Sequence, residues 1–539
     1  MTIYGTESDI EILERDSSTV KLDDLFWMNM IFGRPGTGKT TAIENLVEEY
    51  LANGGDRQKI YYLTYSRNMA EKARERLGKN STNELSENNV GTFHSILSRI
   101  IGWHVDFNSD NSDYLSDNDI AEFAERWAIS KRILSTSWDN EIEAVDEWTR
   151  FSLACDVKIN SMDTRAVSDF YPNTKYDIDY VFEDYQKYKK ELKKHDFTDI
   201  LVTALEVDLP ECDLLFIDEA QDLTPLMWRI VDSWAEKAKK VVVVGDDMQS
   251  IYTFRGADPD LFLDRRNESR VIHLTKSYRM PAAVKELTDG ISRAVYSKEL
   301  VRFEDSGKPG YVVRTTLEDF VGFPGEKWIL CRTNWTAWMV GSNLNRLGIV
   351  YLPLNERHAA LSPWNEELIE VVNSLNEWPF LTPKPAEALI KRLPAKLLTR
   401  GLKTRVINGD IEEVIKELSG GIFGKFDATL LFRQNIRASI NVEELIRQLD
   451  ASQKVKELMT NHIGRPIIKE LIVRLDTIHA AKGLEAERVA LITNLTKKVR
   501  RNMISNPDDE NKIFYVGTTR ATRTLALINA YLTPEVYDV

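Results

Sequence analysis

Cysteine is scarce in this sequence: 539 residues carry three, Cys155, Cys212 and Cys331, with no C-x-x-C pair among them. That spacing excludes a zinc ribbon and a disulfide scaffold, and it suits a reducing compartment. Basic residues are in deficit too. Lys and Arg number 70 against 84 Asp and Glu, a net charge of -14, which argues against a histone-like coat for polyanions but leaves room for a local basic channel. No uninterrupted run of about 18 apolar residues occurs, so no membrane-spanning helix is expected. Residues Met1 to Asp9 have neither the basic nor the apolar stretch of a secretory leader. A cytoplasmic protein without a membrane partner is the expectation. Repeats at a fixed period of about 20 to 50 residues are absent as well, which sets solenoids and propellers aside.

What is present is the composition of a globular protein, 43% hydrophobic, 29% charged and 9% aromatic. At about 100 to 200 residues per domain, the length predicts about three to five packed units. The clearest local signal is the apolar run Trp27 to Phe32, broken at Gly33-Arg-Pro-Gly-Thr-Gly38 and followed by the helical pattern Ala42 to Tyr50. A second unit repeats that order, with Ile60 to Thr64 as a strand and Ala70 to Leu77 as a helix. Leu214 to Ile217 and Val241 to Val244 are further all-apolar strands. Short apolar strands separated by helices predict an α/β fold built on a doubly wound parallel sheet. A second sheet is expected to begin near Val271 to Leu274 and Trp328 to Cys331, and to resume at Leu471 to Leu475 and Val489 to Ile492.

Each sheet is interrupted. Residues 98–196 read as a helical insertion with an acidic stretch over 104–149, best taken as a solvated face. In the second insertion, 356–470, Lys391, Arg392, Lys396, Arg400, Lys403 and Arg405 occur with no acidic residue between Glu387 and Asp410. That run is either a phosphate-contacting patch or the solvated face of a helix pair. The expected division is therefore 1–97 with 197–268 as a first core, 98–196 as its insertion, 269–355 with 471–539 as a second core, and 356–470 as a shorter second insertion.

Gly33-x-x-x-x-Gly38-Lys39-Thr40 is a P-loop pattern. Its glycines let backbone N–H groups close around phosphates, Lys39 reaches the outer phosphates and the Thr40 hydroxyl ligates magnesium. The position between a strand and a helix is the one this mechanism requires. Asp218 and Glu219 end another buried strand. Phosphoryl transfer needs a metal to neutralise charge and a base to position the nucleophile, so Asp218 is the expected magnesium ligand and Glu219 the base for the attacking water. After a third strand, Gln249 is placed to sense the terminal phosphate.

From here the residues resemble the UvrD/Rep family of superfamily 1 DNA helicases, in order along nearly the whole chain. The P-loop resembles motif I, Leu63 to Ala70 motif Ia, and Val90 to Ser95 the motif that follows. Asp196-Phe-Thr-Asp-Ile-Leu201 is similar to the family's D-F-x-D-L-L element, Asp218 to Asp222 to motif II, and Gly245 to Ala257 to motif III. Ser277-Tyr278-Arg279, Arg332-Thr333-Asn334, Thr477 to Glu485 and Tyr515 to Ala521 are similar to motifs IV, IVa, V and VI.

The resemblance implies two RecA-like cores, each with a mostly helical inserted subdomain, that hydrolyse ATP with Mg2+ in the cleft between them. Nucleotide contacts are expected from Gly33, Gly36, Thr37, Gly38, Lys39, Thr40 and Thr41. Tyr278 would stack on the adenine, Glu485 would touch the ribose, and Arg279 and Arg520 would reach the γ-phosphate as planar, permanently charged forks. Single-stranded DNA would cross the top of both cores on Thr64, Tyr65, Asn68, Thr92, Phe93, His94, Tyr252, Phe254, Arg255, Asn334 and His479, by backbone contact and stacking. The implied activity is 3′ to 5′ translocation with unwinding of partial-duplex DNA, by a monomer or a weakly self-associating chain. The alternative is an ATP-gated DNA-binding switch or protein-displacing translocase that separates no strands. The sequence departs from the family at several points. The glutamine that usually reads the adenine edge upstream of the P-loop is missing, the first glutamine being Gln58. Thr41 stands where Arg is frequent, Met248 where Asp is common, Phe254 where Trp is usual and Ala486 where an aromatic is common.

Overall fold

The computed structural model describes residues 12–65, 67–77, 89–103, 113–127, 129, 147–160, 177–418, 425–530 and 536–537. Seven parallel strands form the first sheet: β1 (Ile12–Arg15), β2 (Met28–Gly33), β3 (Ile60–Thr64), β4 (Val90–Thr92), β5 (Cys212–Asp218), β6 (Ala238–Gly245) and β7 (Arg270–Leu274). Their spatial order is β1-β7-β2-β6-β5-β3-β4. The centre of the sheet holds the most apolar sequences. Every residue of β2 is buried, as are the last five of β5 and of β6, which is what a parallel strand covered on both faces demands. Helix Lys39–Ala52 covers one face with Ile43, Leu46 and Val47 against Ile31, Val242 and Val244. Trp228 and Trp234 of helix Pro225–Ala235 cover the other, against Met30, Leu215 and Val243.

The chain continues through β8 (Tyr311–Arg314), β9 (Lys327–Cys331) and β10 (Tyr351–Leu352). A helical insertion follows, with its own apolar core and a two-stranded antiparallel ribbon of β11 (Phe380–Leu381) and β12 (Phe426–Asp427). Strands β13 (Val473–Thr477), β14 (Ala486–Ile492) and β15 (Ala521–Ile528) then complete a second parallel sheet in the order β10-β13-β9-β14-β15-β8. The fold is thus α/β with two parallel-sheet cores. One strand sits differently from expectation: Arg270–Leu274 pairs with β1 and β2 in the first sheet instead of opening the second. Its apolar sequence fits either sheet, and pairing, which composition does not encode, decides between them.

The described part of the first insertion includes helices Asp117–Arg126, Glu147–Asn160 and Ile178–Leu192. Most of the acidic stretch over 104–149 lies outside the described residues. Lys189 fastens this insertion to the core side. Its side chain is 4% exposed, and its ammonium donates to Asp196 at 2.7 Å and to Asp199 at 2.8 Å. Both acids cap helix Phe197–Ala204, so one cation neutralises a helix start. Replacing Lys189 by Met leaves the two carboxylates facing each other, and loss of one partner of a buried pair costs about 3–5 kcal/mol. Lys189→Met is expected to lower the first thermal transition and to open the insertion to limited proteolysis, both read against the wild type.

Candidate nucleotide site and nucleic-acid interface

Because all strands of the first sheet run parallel, the residues that follow them gather on one edge. The P-loop leaves β2, Asp218 ends β5, and Asp246 and Gln249 follow β6. Gly36 and Gly38 take φ of 76° and 82°, a region that side chains rarely adopt. A Cβ at Gly36 would also run into Arg279, lying 3.1 Å from its backbone N. Gly38 then caps helix Lys39–Ala52, whose first turn carries Lys39, Thr40 and Thr41, all half-buried. That turn aims free N–H groups and the positive end of the helix at the loop. Lys39 Nζ folds back onto Gly33 O at 2.8 Å, and Thr37 Oγ1 donates to Arg34 O at 2.8 Å. Arg34, inside the P-loop, is buried: it donates to Asp246 at 2.6 Å, to Asp247 at 2.9 Å and to the carbonyl of Glu299.

The acids beside this loop are buried and in want of cations. Asp218 is 1% exposed; it accepts the Tyr62 hydroxyl on one oxygen and the Glu219 N–H at 2.9 Å on the other. Burial, then the neighbouring Glu219, pushes its carboxyl up to about 6. Glu219 holds φ of 55°, a strained setting for a side chain of its size. Gln221 Nε2 donates to its carboxylate at 2.5 Å. Burial lifts Asp222 to about 7 in spite of Lys482, which comes from the second core and contacts Asp222 directly. The same ammonium donates to Gln249 O at 2.6 Å and lies 3.9 Å from Glu219. The donor set suits a hard divalent cation that keeps most of its ligands from water and phosphate. Among the described residues no group of three or more His, Cys, Asp or Glu is placed to hold a metal.

Arg520 from the second core and Arg279 from the segment after β7 complete this cleft. Ala486 of β14 and Ala521 of β15 are register partners, so Glu485 and Arg520 enter side by side on the near edge of that sheet. Arg520 is 1% exposed and donates to Gln249 Oε1 at 3.0 Å, Thr519 Oγ1 at 2.7 Å and the carbonyls of Val516 and Leu484. Burial brings its guanidinium down to about 9, which leaves it cationic at neutral pH. Gln249 Nε2 in turn donates to Asp246 at 2.6 Å. Arg279 pairs with Glu485, and the Tyr278 N–H reaches Gly36 O at 2.8 Å. The structure thus brings together the P-loop, Asp218, Glu219, Gln249, Tyr278, Arg279, Glu485 and Arg520.

Above the acids lies an aromatic cluster. Tyr65 stacks on Tyr252 with centroids 5.3 Å apart, Phe254 meets His479 edge-on at 5.6 Å, and Arg255 lies over both Tyr252 and Phe254. Phe254 is 50% exposed. Burial pushes His479 down to about 3 and His94 down to about 4, so both are neutral rings suited to stacking. His479 Nε2 and Thr64 Oγ1 are buried without a hydrogen-bond partner. His94 stands apart from this cluster, edge-on to Phe197 at 6.1 Å, next to Thr92, which caps its helix. Asn334 is exposed at the first turn of helix Asn334–Arg346, and the side chain of Asn68 lies outside the described residues. Phe93 corrects an expectation: it is 1% exposed in the core with Leu97 and Ile200, which leaves no ring face open for a base to stack on, because the helix after β4 turns that position inward. The basic run of the second insertion accords with the solvated helix face that was one of its two readings. Lys391, Arg392 and Arg405 are paired with Glu387, Glu367 and Glu417, acids that lie outside the run in sequence.

Sequence reasoning gave no role to Lys482 or Arg34, although both lie inside motif stretches; their ion pairs depend on the packing of the two cores. Comparison with known proteins agrees with the geometry. The chain is 22% identical to the probable DNA helicase II homolog of Mycoplasma pneumoniae, across 94% of its own length and 82% of the relative's. It is 24% identical to the ATP-dependent DNA helicase UvrD2 of Mycobacterium tuberculosis, across 91% of its length and 75% of the relative's. Residues 27–270 match the UvrD/REP helicase N-terminal domain and residues 428–531 the UvrD-like helicase C-terminal domain, and on those two matches the chain belongs to the UvrD/REP helicase family.

Proposed function

We propose that this chain is an ATP-driven DNA helicase that moves 3′ to 5′ along single-stranded DNA, its division into cores and insertions following the expected boundaries apart from β7. The observation that carries this reading is the set of bonds by which Arg520 and Lys482 of the second core reach Gln249, Glu219 and Asp222 of the first. A nucleotide in the P-loop would meet groups from both cores, so binding and hydrolysis alter the fit between them. Thr40 and Asp218 would hold magnesium, which supplies charge neutralisation at the phosphates. Glu219 takes the proton of the attacking water, Arg279 and Arg520 meet the charge that builds on the phosphate oxygens, and Tyr278 offers its ring to the base. Bases of one strand stack on Tyr252, Phe254 and His479, which read no sequence because every base has a π-face.

The experiment is strand separation and ATP hydrolysis measured together on partial duplexes with a 3′ or a 5′ single-stranded tail. Unwinding from the 3′ tail alone is expected, with Glu219→Gln lowering hydrolysis by about 10²- to 10⁴-fold. Hydrolysis stimulated by DNA without unwinding from either tail would favour the switch or protein-displacing reading, which the paired basic residues of the second insertion support.

Lys482 touches both clusters: its ammonium bonds Asp222 and Gln249 O, and it lies 5.0 Å from the Tyr252 ring centroid. Lys482→Ala is therefore expected to uncouple them. DNA stimulation of hydrolysis should fall by about 5- to 150-fold, the range of a typical coupling free energy, while binding of a fluorescent nucleotide analogue persists. Unchanged DNA stimulation in a folded variant would remove Lys482 from the coupling path.

A further inference from the structure

Arg34 is the second residue of the P-loop, yet its side chain leaves the phosphate loop for the turn after β6, where it is 4% exposed. One terminal nitrogen of the guanidinium donates to Asp246 Oδ1 at 2.6 Å and to Asp247 Oδ1 at 2.9 Å, and the other to the carbonyl of Glu299. Asp247 Oδ2 accepts the Glu299 N–H at 3.0 Å. The backbone of Glu299 thus closes the far side of the group and keeps the guanidinium from swinging out to water. Asp246, 1% exposed, is the hub. Its Oδ2 accepts Gln249 Nε2 at 2.6 Å, and its N–H donates to Gln221 Oε1 at 3.0 Å. Each of those amides serves a second group. Gln249 Oε1 accepts Arg520 at 3.0 Å, and Gln221 Nε2 donates to the Glu219 carboxylate at 2.5 Å. One buried turn therefore joins the phosphate loop to Glu219 and to the arginine of the second core.

We propose that the Arg34–Asp246 pair is a positioning device for hydrolysis: it fixes which way the Gln249 amide faces, and so ties the placement of Arg520 to that of the P-loop. This rests on the ATP reading of the cleft given above. A side-chain amide has a donating end and an accepting end, whereas a carboxylate only accepts. With Asp246 behind it, Gln249 must turn its nitrogen to that carboxylate, which leaves its oxygen for Arg520. Reversed, the amide would set donor against donor at the guanidinium and acceptor against acceptor at Asp246. Arg34 supplies the charge that lets Asp246 and Asp247 stand side by side out of water. Because Arg34 belongs to the loop that would carry the phosphates, a shift of that loop moves the countercharge of Asp246. The shift reaches Arg520 through three consecutive hydrogen bonds. The Arg34 side chain points away from the phosphates, so disturbing the pair should cost turnover and spare nucleotide binding.

The test measures kcat for ATP hydrolysis with saturating single-stranded DNA, and the affinity for a fluorescent ATP analogue. It compares wild type, Arg34→Lys, Asp246→Asn, Gln249→Ala, each of the first two combined with Gln249→Ala, and Lys39→Ala. Lysine keeps the charge but lacks the fork that bonds Asp246, Asp247 and Glu299 together. Asparagine keeps the shape and the Arg34–Asp247 bond, so it decides the matter should Arg34→Lys not fold. With its oxygen toward Arg34, its amide nitrogen takes the place of Oδ2 and opposes Gln249 Nε2. Each single variant is expected to lower kcat by about tenfold or more and to leave analogue affinity within about twofold. Neither should lower kcat further once Gln249 is alanine, because the group it positions is gone. A merely structural role lowers kcat by the same factor in both backgrounds. That result, wild-type kcat in a folded Arg34→Lys, Asp246→Asn or Gln249→Ala, or a loss of analogue binding as large as the loss of kcat, overturns the proposal. Lys39→Ala keeps the two readings apart. Hydrolysis that survives it sinks the ATP site itself, whereas Lys39-dependent hydrolysis with additive effects sinks only the role of the pair.

Discussion

Buried negative charge at one edge of the first sheet is the constraint on which the rest of this structure depends. Asp218, Glu219, Asp222, Asp246 and Asp247 are each buried within a few residues of the ends of β5 and β6. Carboxylates removed from water must be neutralised or paired. The first core supplies Arg34 to Asp246 and Asp247. For Asp222, and for the carbonyl and side chain of Gln249, the partners come from the second core as Lys482 and Arg520. Electrostatics therefore draws the two cores together where a polyphosphate would add still more negative charge. Any anion that enters competes for the same cations, and that competition is a physical means by which nucleotide could change the contact between the cores.

The parallel topology makes this economical. In the first sheet every loop that follows a central strand opens on the same edge, which collects the phosphate loop and the acids from segments far apart in sequence. In the second sheet the useful edge is reversed for the nucleotide: Arg520 and Glu485 precede β15 and β14, whereas His479 and Asn334 follow β13 and β9. One sheet thus faces the cleft with the starts of its strands and presents the ends of its strands on the opposite edge. The helices between strands carry the span from one edge to the other, and a small rotation of the second core shifts both edges at once.

Much of this was legible in the sequence, for a physical reason. Strands such as Met28–Gly33 and Val241–Val244 are continuous apolar runs because both their faces are covered, and such runs stand out against amphipathic helices. Gly33, Gly38, Lys39 and Thr40 were legible because backbone geometry around phosphate tolerates few residue types. What escaped depends on tertiary pairing. Nothing local in Arg270–Leu274 tells which sheet it joins. Phe93 shares a motif stretch with His94, and only the helix phase turns one inward. The basic run at Lys391 to Arg405 lacks acids in sequence, yet Glu367 and Glu417 reach it in space. Asp16 carries no signal until Tyr278, 262 residues later, is seen to bond it.

Coupling between nucleotide and DNA needs no long path in this molecule, because the two clusters share an atom. Lys482 Nζ is bonded to Asp222 and to the backbone of Gln249, and it stands 5.0 Å from the ring centroid of Tyr252, whose ring is itself stacked on Tyr65. A cation over a partly enclosed aromatic ring is worth about 0.5–2 kcal/mol, comparable to the energies by which sites in proteins influence one another. If the charge around Asp222 and Glu219 changes, the ammonium has another partner within reach, and the ring beneath it feels the shift. Tyr252 packs against Tyr65, Phe254 and His479, the rings a base would stack on, so a displaced ammonium would act on that whole group. The reverse holds by reciprocity of binding free energies: a base that moves Tyr252 moves the cation, and with it the field at Glu219. A single lysine held between buried acids and an aromatic face would thus let each site sense the other, alongside any movement of one core against the other.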